Sequence, residues 1–329
     1  MTDDADRAAW RPVEDLAPEF RRFAHDGARE AAVRWRASMH RLENSGIDTS
    51  PMDIWFRSMR RIFAIETGQL AGLYALRSGA AETLIAEGFG NVRGAHARGQ
   101  IDDGTLAGLL AGQEAALNAL APLVKMVRPP TAAALKEWHA LLTEHQHDEV
   151  RVDTFGNRAV IPLRRGRWRN RPYAGRGGVQ VQACCPPDAV GREMDRLLSL
   201  HWSHAGLGLT PEMEAAWLHR EFFRIRPFQV GNGRIARLLV ACVYAMAGEI
   251  PPVIPSESRE HYAGALERAA RGDLGSFARF LGDLAAAMSK AASARAKIIL
   301  SGDTDFRHSN GGVTSRGVYY PPNAHPPPS

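Results

Sequence analysis

The sequence predicts a mainly α-helical protein with one short β-hairpin. Apolar residues recur at three- and four-residue spacing over most of the chain. Only RVDTFGNRAVIPL (151–163) alternates like a strand pair, around Gly156-Asn157. Thr-Pro, Pro-Pro and Gly signals separate the helical stretches. The 329 residues are 45% hydrophobic, enough for a substantial core. No apolar run reaches the roughly 18 residues a membrane helix needs, so no membrane partner is expected.

The elements follow in order. Residues 1–28 are expected to be flexible. Residues 29–128 form an N-terminal helical region, with helices at 29–43 and 53–66 and a long run at 106–127 that Pro122 breaks or bends. Pro129-Pro130 opens a second domain, 129–296. Thr131 caps its first helix, with Leu135, Trp138, Leu141 and Leu142 inward. After the hairpin and an irregular loop, Asp188 is placed to cap a helix carrying Val190, Met194, Leu197 and Leu198. Thr210-Pro211-Glu212 starts another, with cap, proline and first-turn acid in sequence. A very apolar helix begins near Arg234 and ends at Gly248 and Pro251-Pro252. Helices at 257–271 and 273–295 close the domain, and residues 302–329 have the composition of a disordered tail.

The net charge is +5 and its surplus is local. Arg151, Arg158, Arg164, Arg165, Arg167, Arg169, Arg171 and Arg176 face a single acid, Asp153. Such a patch is either a solvated hairpin or an attractor of phosphate or an acidic partner. Cys184, Cys185 and Cys242 form no disulfide framework or zinc pattern, and the acidic N-terminus lacks a secretory apolar region. A cytoplasmic location is the expectation. His201 and His204 can share a helical face, but the sequence shows nothing to complete a metal site. No metal is expected.

The chemistry concentrates in RIRPFQVGNGRIAR (224–237). Gly231 and Gly233 let the backbone turn tightly and bring N–H groups close to a ligand. The turn feeds a helix N-terminus, where unpaired N–H groups and the helix dipole favour an anion. Arg234 and Arg237 can add charge-assisted hydrogen bonds, and Asn232 can hold the turn or reach a phosphate.

WLHREFFRIRPFQVGNGRIARLL resembles the Fic (Fido) family of nucleotidyl transferases, whose motif reads H-x-F-x-[D/E]-G-N-G-R-x-x-R. AIETGQLAGLYAL (64–76) resembles the family's inhibitory segment, GRWRNRPY its target-docking flap, and HYAGALERAARGDLGSFARFL its closing helices. The resemblance spans roughly residues 55–290. It implies a Fic/Fido-like helical core with a β-hairpin flap, and transfer of AMP from ATP to a protein hydroxyl. In that reading Phe228, Gly231, Asn232, Gly233, Arg234 and Arg237 bind nucleotide or phosphate. Arg167, Trp168 and Arg169 belong to the flap that meets a protein target.

Three positions depart from the family pattern. Arg226 stands where the motif has its base histidine, Val230 where it has the acidic metal ligand, and Ala71 where the inhibitory segment has glutamate. An arginine stays protonated and takes no proton from a hydroxyl. Losing a positioned base forfeits about 100- to 10,000-fold in rate. Valine offers magnesium no oxygen, so Mg²⁺ is expected to be weakened or absent. His219, seven residues before Arg226, is about 10 Å away along a helix and reads as a packing residue.

Three functions remain open. The first is a pseudoenzyme-like binder of ATP, another nucleotide or a phosphate ligand, with transfer lost or altered. The second is an active transferase using another phosphate-linked donor and a non-histidine mechanism. The third is a binder of nucleic acid or acidic protein through the arginine-rich hairpin, ranked last because no nucleic-acid motif is present.

Overall fold

The computed structural model describes residues 10–96, 101–152, 158–173 and 184–302. Its helices are α1 (Asp26–Glu43), α2 (Ser50–Leu70), α3 (Ala80–Glu87), α4 (Asp103–Asn118), α5 (Ala121–Met126), α6 (Ala132–Thr143), α7 (Val190–Ser203), α8 (Pro211–Ile225), α9 (Asn232–Met246), α10 (Arg259–Ala270) and α11 (Leu274–Ser301). Strands β1 (Glu149–Val152) and β2 (Arg158–Ile161) pair antiparallel, with Val150 opposite Val160. The Gly156-Asn157 turn and the tail beyond residue 302 lie outside the described residues.

Helix α9 is the central element. Ile235 to Ala241 are all nearly inaccessible, arginine included. Burial on every side suits its apolar run, RIARLLVACVYAM. It packs on α8, α6, α5 and α2, while α11 runs across α1, α8 and α10. Side-chain caps start the helices where the sequence places short polar residues. Thr131 accepts from the Ala134 N–H, Asp102 from Thr105 and Asp273 from Ser276.

Several sequence expectations shift. The 106–127 run divides into α4 and α5, with Pro122 in the first turn of α5. α3 was not foreseen, because eight residues are too few for a periodicity signal. Asp188 does not cap α7: the residue before the helix is Ala189, which makes no side-chain cap bond. The last helix continues to Ser301.

The N-terminal segment also differs from expectation, since it is packed well before residue 28. Val13 and Leu16 are 0% and 2% exposed. The Val13 N–H donates to Glu193 of α7 (2.8 Å) and Trp217 of α8 donates to the Glu14 carbonyl (3.2 Å). Two apolar side chains and two paired backbone groups outweigh the polar composition around them.

The arginine surplus has a structural use. Arg165 donates to the carbonyls of Thr143 (2.8 Å) and Gln146 (2.6 Å), and Arg234 to Leu142 (2.7 Å), all at the C-terminal end of α6. Arg259 caps α2 through Leu70 and Gln69 (2.7 Å each). Arg61 caps α3 through Ile85 (2.7 Å) and Ala86 (2.9 Å). Helix C-termini present unpaired carbonyls and a negative dipole end, which a guanidinium satisfies together.

Candidate functional site

Helix α8 ends at Ile225 because Arg226 turns into the left-handed region (φ 46°), a position glycine usually fills. The exposed end is clamped by Arg169, which is 4% exposed. Its Nε donates to the Arg226 carbonyl (2.7 Å), its Nη2 to Ile225 (3.2 Å) and Cys185, and its backbone N–H to Pro227 (2.8 Å). Arg169 is thus part of the core.

Phe228 follows, fully buried. The His139 ring lies flat against it (centroids 3.9 Å apart, 2° between planes), and Trp168 leans on it at 4.7 Å. Lys136 sits 4.9 Å above the Trp168 ring. Trp168 therefore anchors its loop to the core, while Arg167 is exposed. Phe228 is a packing residue in this structure.

His139 was not singled out from the sequence. Its Nδ1 accepts from the Gly166 N–H (3.0 Å), so its proton is on Nε2, which donates to the Val230 carbonyl (3.1 Å). Burial, then the nearby Arg234 charge, push its pKa down to about 3. It is neutral and fully engaged, and it ties the motif turn to α6. The signal for it is three-dimensional, since it lies 91 residues from Val230.

Gly231 (φ 78°) makes the turn into α9, whose first residue is Asn232. The Asn232 side chain binds Phe228 twice, accepting from its N–H (3.0 Å) and donating to its carbonyl (2.8 Å). Of the two uses open to Asn232, holding the turn is the one observed. Gly233 sits where a Cβ would lie 3.4 Å from Arg237 and 4.0 Å from Phe223. Arg234 is 2% exposed and bound to Leu142 of α6 and to Gln146 just beyond it (2.5 Å). As placed, it braces the turn.

Arg237, 6% exposed, holds Thr67 of α2 through Oγ1 (2.5 Å) and the carbonyl (2.8 Å). Burial lowers its pKa, and Tyr262 opposes that shift. The segment that resembles the inhibitory helix therefore does meet a motif arginine, through Thr67. Ala71, one turn on, is the C-cap of α2.

Arg226 lies beside this turn. Its guanidinium carbon is 4.5 Å from the Phe223 ring centre and 4.7 Å from that of Tyr173. Its Nε donates to the Phe223 carbonyl (3.3 Å). The same Phe223 lies 4.0 Å from where a Cβ on Gly233 would sit, in the first turn of α9, whose first N–H groups have no carbonyl one turn back. Arg164, Asn170, Arg171, Tyr173 and Gln229 line an adjoining cleft. An anion there meets fixed positive potential. Val230 supplies no metal ligand: its side chain is apolar and its carbonyl is occupied by His139. The residues present do not fit a magnesium ion held by position 230.

His219 is fully buried and bonded to the Tyr262 hydroxyl (2.8 Å), as the packing reading expects. His201 and His204 both contact Glu214 (2.6 and 2.7 Å). Among the described residues no cluster of three or more His, Cys, Asp or Glu has a metal-binding arrangement. No described helix is long and apolar enough to cross a membrane.

Comparison with known proteins adds independent findings. The Fic/DOC family model matches residues 129–244. The chain is 30% identical over 156 residues to protein adenylyltransferase fic-1 of Caenorhabditis elegans, covering 45% of this chain and 30% of that protein. It is 40% identical over 125 residues to protein adenylyltransferase Fic of Drosophila persimilis, covering 38% and 24%. The chain thus spans less than a third of the length of these relatives. A Fic-domain-containing signaling protein from Bacteroides thetaiotaomicron superposes with a TM-score of 0.65 at 22% identity, covering 82% of this chain and 98% of that one. Fic-1 of C. elegans superposes at 0.61 and 20% identity, covering 82% and 71%. At these identities the likeness is one of fold.

Proposed function

The chain belongs to the Fic/DOC family through residues 129–244, and from that premise we propose that it binds a nucleotide by its phosphate end without transferring AMP. The observation that carries the reading is the Arg226 guanidinium, stacked on Phe223 and Tyr173 beside the glycine turn. It puts a permanent cation where the family motif has a base. The N-terminus of α9 supplies N–H donors to the phosphates, and Arg226 supplies charge that a metal would otherwise provide. ATP is the expected ligand, with magnesium held only through the phosphates.

The same arrangement argues against a substitute base close by. His139 has both nitrogens engaged, and His219 is enclosed between α8, α10 and α11 with its Nε2 on Tyr262. Neither faces a substrate hydroxyl. The arginines of the hairpin region that are described mostly brace carbonyls, which weakens the case for a nucleic-acid surface.

The test is incubation of the protein with cell lysate and ATP labelled on the α-phosphate. The reading expects no transfer of label to protein. Label that appears with the wild type and disappears with Arg226→Ala would favour an altered transferase mechanism.

A further inference from the structure

A second cavity lies away from the glycine turn. It opens between α2, α5, α9 and the start of the segment after α9, with a volume of about 420 Å³. Small-molecule sites commonly run to about 300–1,000 Å³ with apolar walls and few polar groups. Phe63, Val124, Ala241, Ala245, Val253 and Met288 form its walls. The space has a local cause. Helix α9 presents alanines at 241 and 245, one turn apart, opposite the large side chains of α2, and α5 is set off from α4 by the break before Pro122. Phe63 and Ala241 are each one turn from Thr67 and Arg237, so the cavity sits directly behind that contact.

Two cations also line it, half-buried Arg60 and exposed Lys125. Among the described residues neither makes an ion pair or a side-chain hydrogen bond. An apolar trough bordered by two uncommitted cations is complementary to a chain molecule with an anionic head. We propose that this cavity binds a single-chain aliphatic carboxylate, with its chain between α2 and α9 and its carboxylate at Arg60 and Lys125. The proposal does not depend on the nucleotide reading, since no residue of the glycine turn takes part.

The test uses sodium decanoate below its micelle concentration, titrated by calorimetry into the intact protein, with 1-decanol as the uncharged comparison. Saturable one-to-one binding is expected, with a ligand-dependent rise in Tm. Arg60→Glu/Lys125→Glu reverses the two cations that make no described ion pair and should weaken decanoate about tenfold or more, with unliganded Tm largely retained. Ala245→Trp, which fills the trough from a half-buried position, should weaken decanoate and decanol alike. Absence of binding by the wild type would overturn the proposal. So would equal affinity of the charge-reversed variant for decanoate. Binding seen only to phosphatidylglycerol vesicles, or self-association of the chain that decanoate leaves unchanged, would assign the surface to a membrane or a second copy instead.

Discussion

Arg237 and Thr67 are bound twice, guanidinium to hydroxyl at 2.5 Å and guanidinium to carbonyl at 2.8 Å. This contact joins the motif helix α9 to the segment that resembles the family's inhibitory helix, even though Ala71 has no carboxylate to offer. It fixes two of the guanidinium nitrogens on α2, while the third, Nη1, lies 3.4 Å from where a Cβ on Gly233 would sit. Thr67→Ala removes the hydroxyl and leaves the carbonyl. We expect it to loosen the contact, tighten ATP binding about fivefold, and cost about 1–2 kcal/mol of stability. Calorimetry and chemical denaturation of the same variant check both parts.

Arg226 separates binding from backbone strain. Its φ of 46° is a conformation glycine adopts freely. Arg226→Gly relieves that strain, worth about 1–2 kcal/mol, while losing cation–π contacts of about 0.5–1 kcal/mol each. Stability should therefore change little, while magnesium-free ATP affinity falls at least about tenfold. A Tm scan beside an ATP titration distinguishes this from simple unfolding.

Gly231 is the turn position with least tolerance. At φ 78°, a Cβ would sit 3.3 Å from Arg234 and 3.4 Å from His139, the two residues that brace the turn. Gly231→Ala should lose about 1–2 kcal/mol or more from the left-handed conformation alone. Asn232→Ala should lose a comparable amount by leaving the Phe228 N–H and carbonyl unpaired. Urea denaturation midpoints at constant m-value are the readout.

The N-terminal segment carries a pH dependence. His204 donates Nδ1 to Glu214 and Nε2 to Asp15, at 2.7 Å each. Both partners only accept, so the ring is doubly protonated. Burial alone would lower its pKa, but the two carboxylates outweigh burial and raise it. Glu214 would be raised by burial, but His201 and His204 hold it below its ordinary value. The His204 contribution is fully present below the unfolded histidine pKa of about 6.5 and is lost as pH rises through the higher folded value. The Glu214 contribution is present above the ordinary carboxylate range and lost as pH falls through its depressed folded value. The Tm advantage of wild type over His204→Gln should thus be largest near pH 6 and shrink toward pH 9. Proteolysis near residues 10–16 should increase over the same upper range.

The fold was legible where periodicity and capping are local. Thr131, Pro122 and the apolar α9 sequence each mark an element the structure contains. The packed N-terminal segment was not legible, because Val13 and Leu16 are isolated apolar residues whose partners lie about 180 residues or more further on. The glycine turn and its departures at Arg226 and Val230 were readable as a pattern of residue types. The uses of Arg234 and Arg169 were not. A buried guanidinium that caps a helix looks the same in sequence as one that waits for phosphate, and only the positions of the carbonyls of α6 and α8 separate the two. His139 belongs to the same class, since its role depends on stacking across the fold.

The most direct measurement is a calorimetric titration of ATP into the wild type, in chelator and then with magnesium, beside Arg226→His/Val230→Asp. The account predicts that the wild type binds ATP in chelator, that magnesium changes its affinity little, and that only the double variant becomes magnesium-responsive. A wild type that binds ATP only when magnesium is present, or that binds none under either condition, would contradict it.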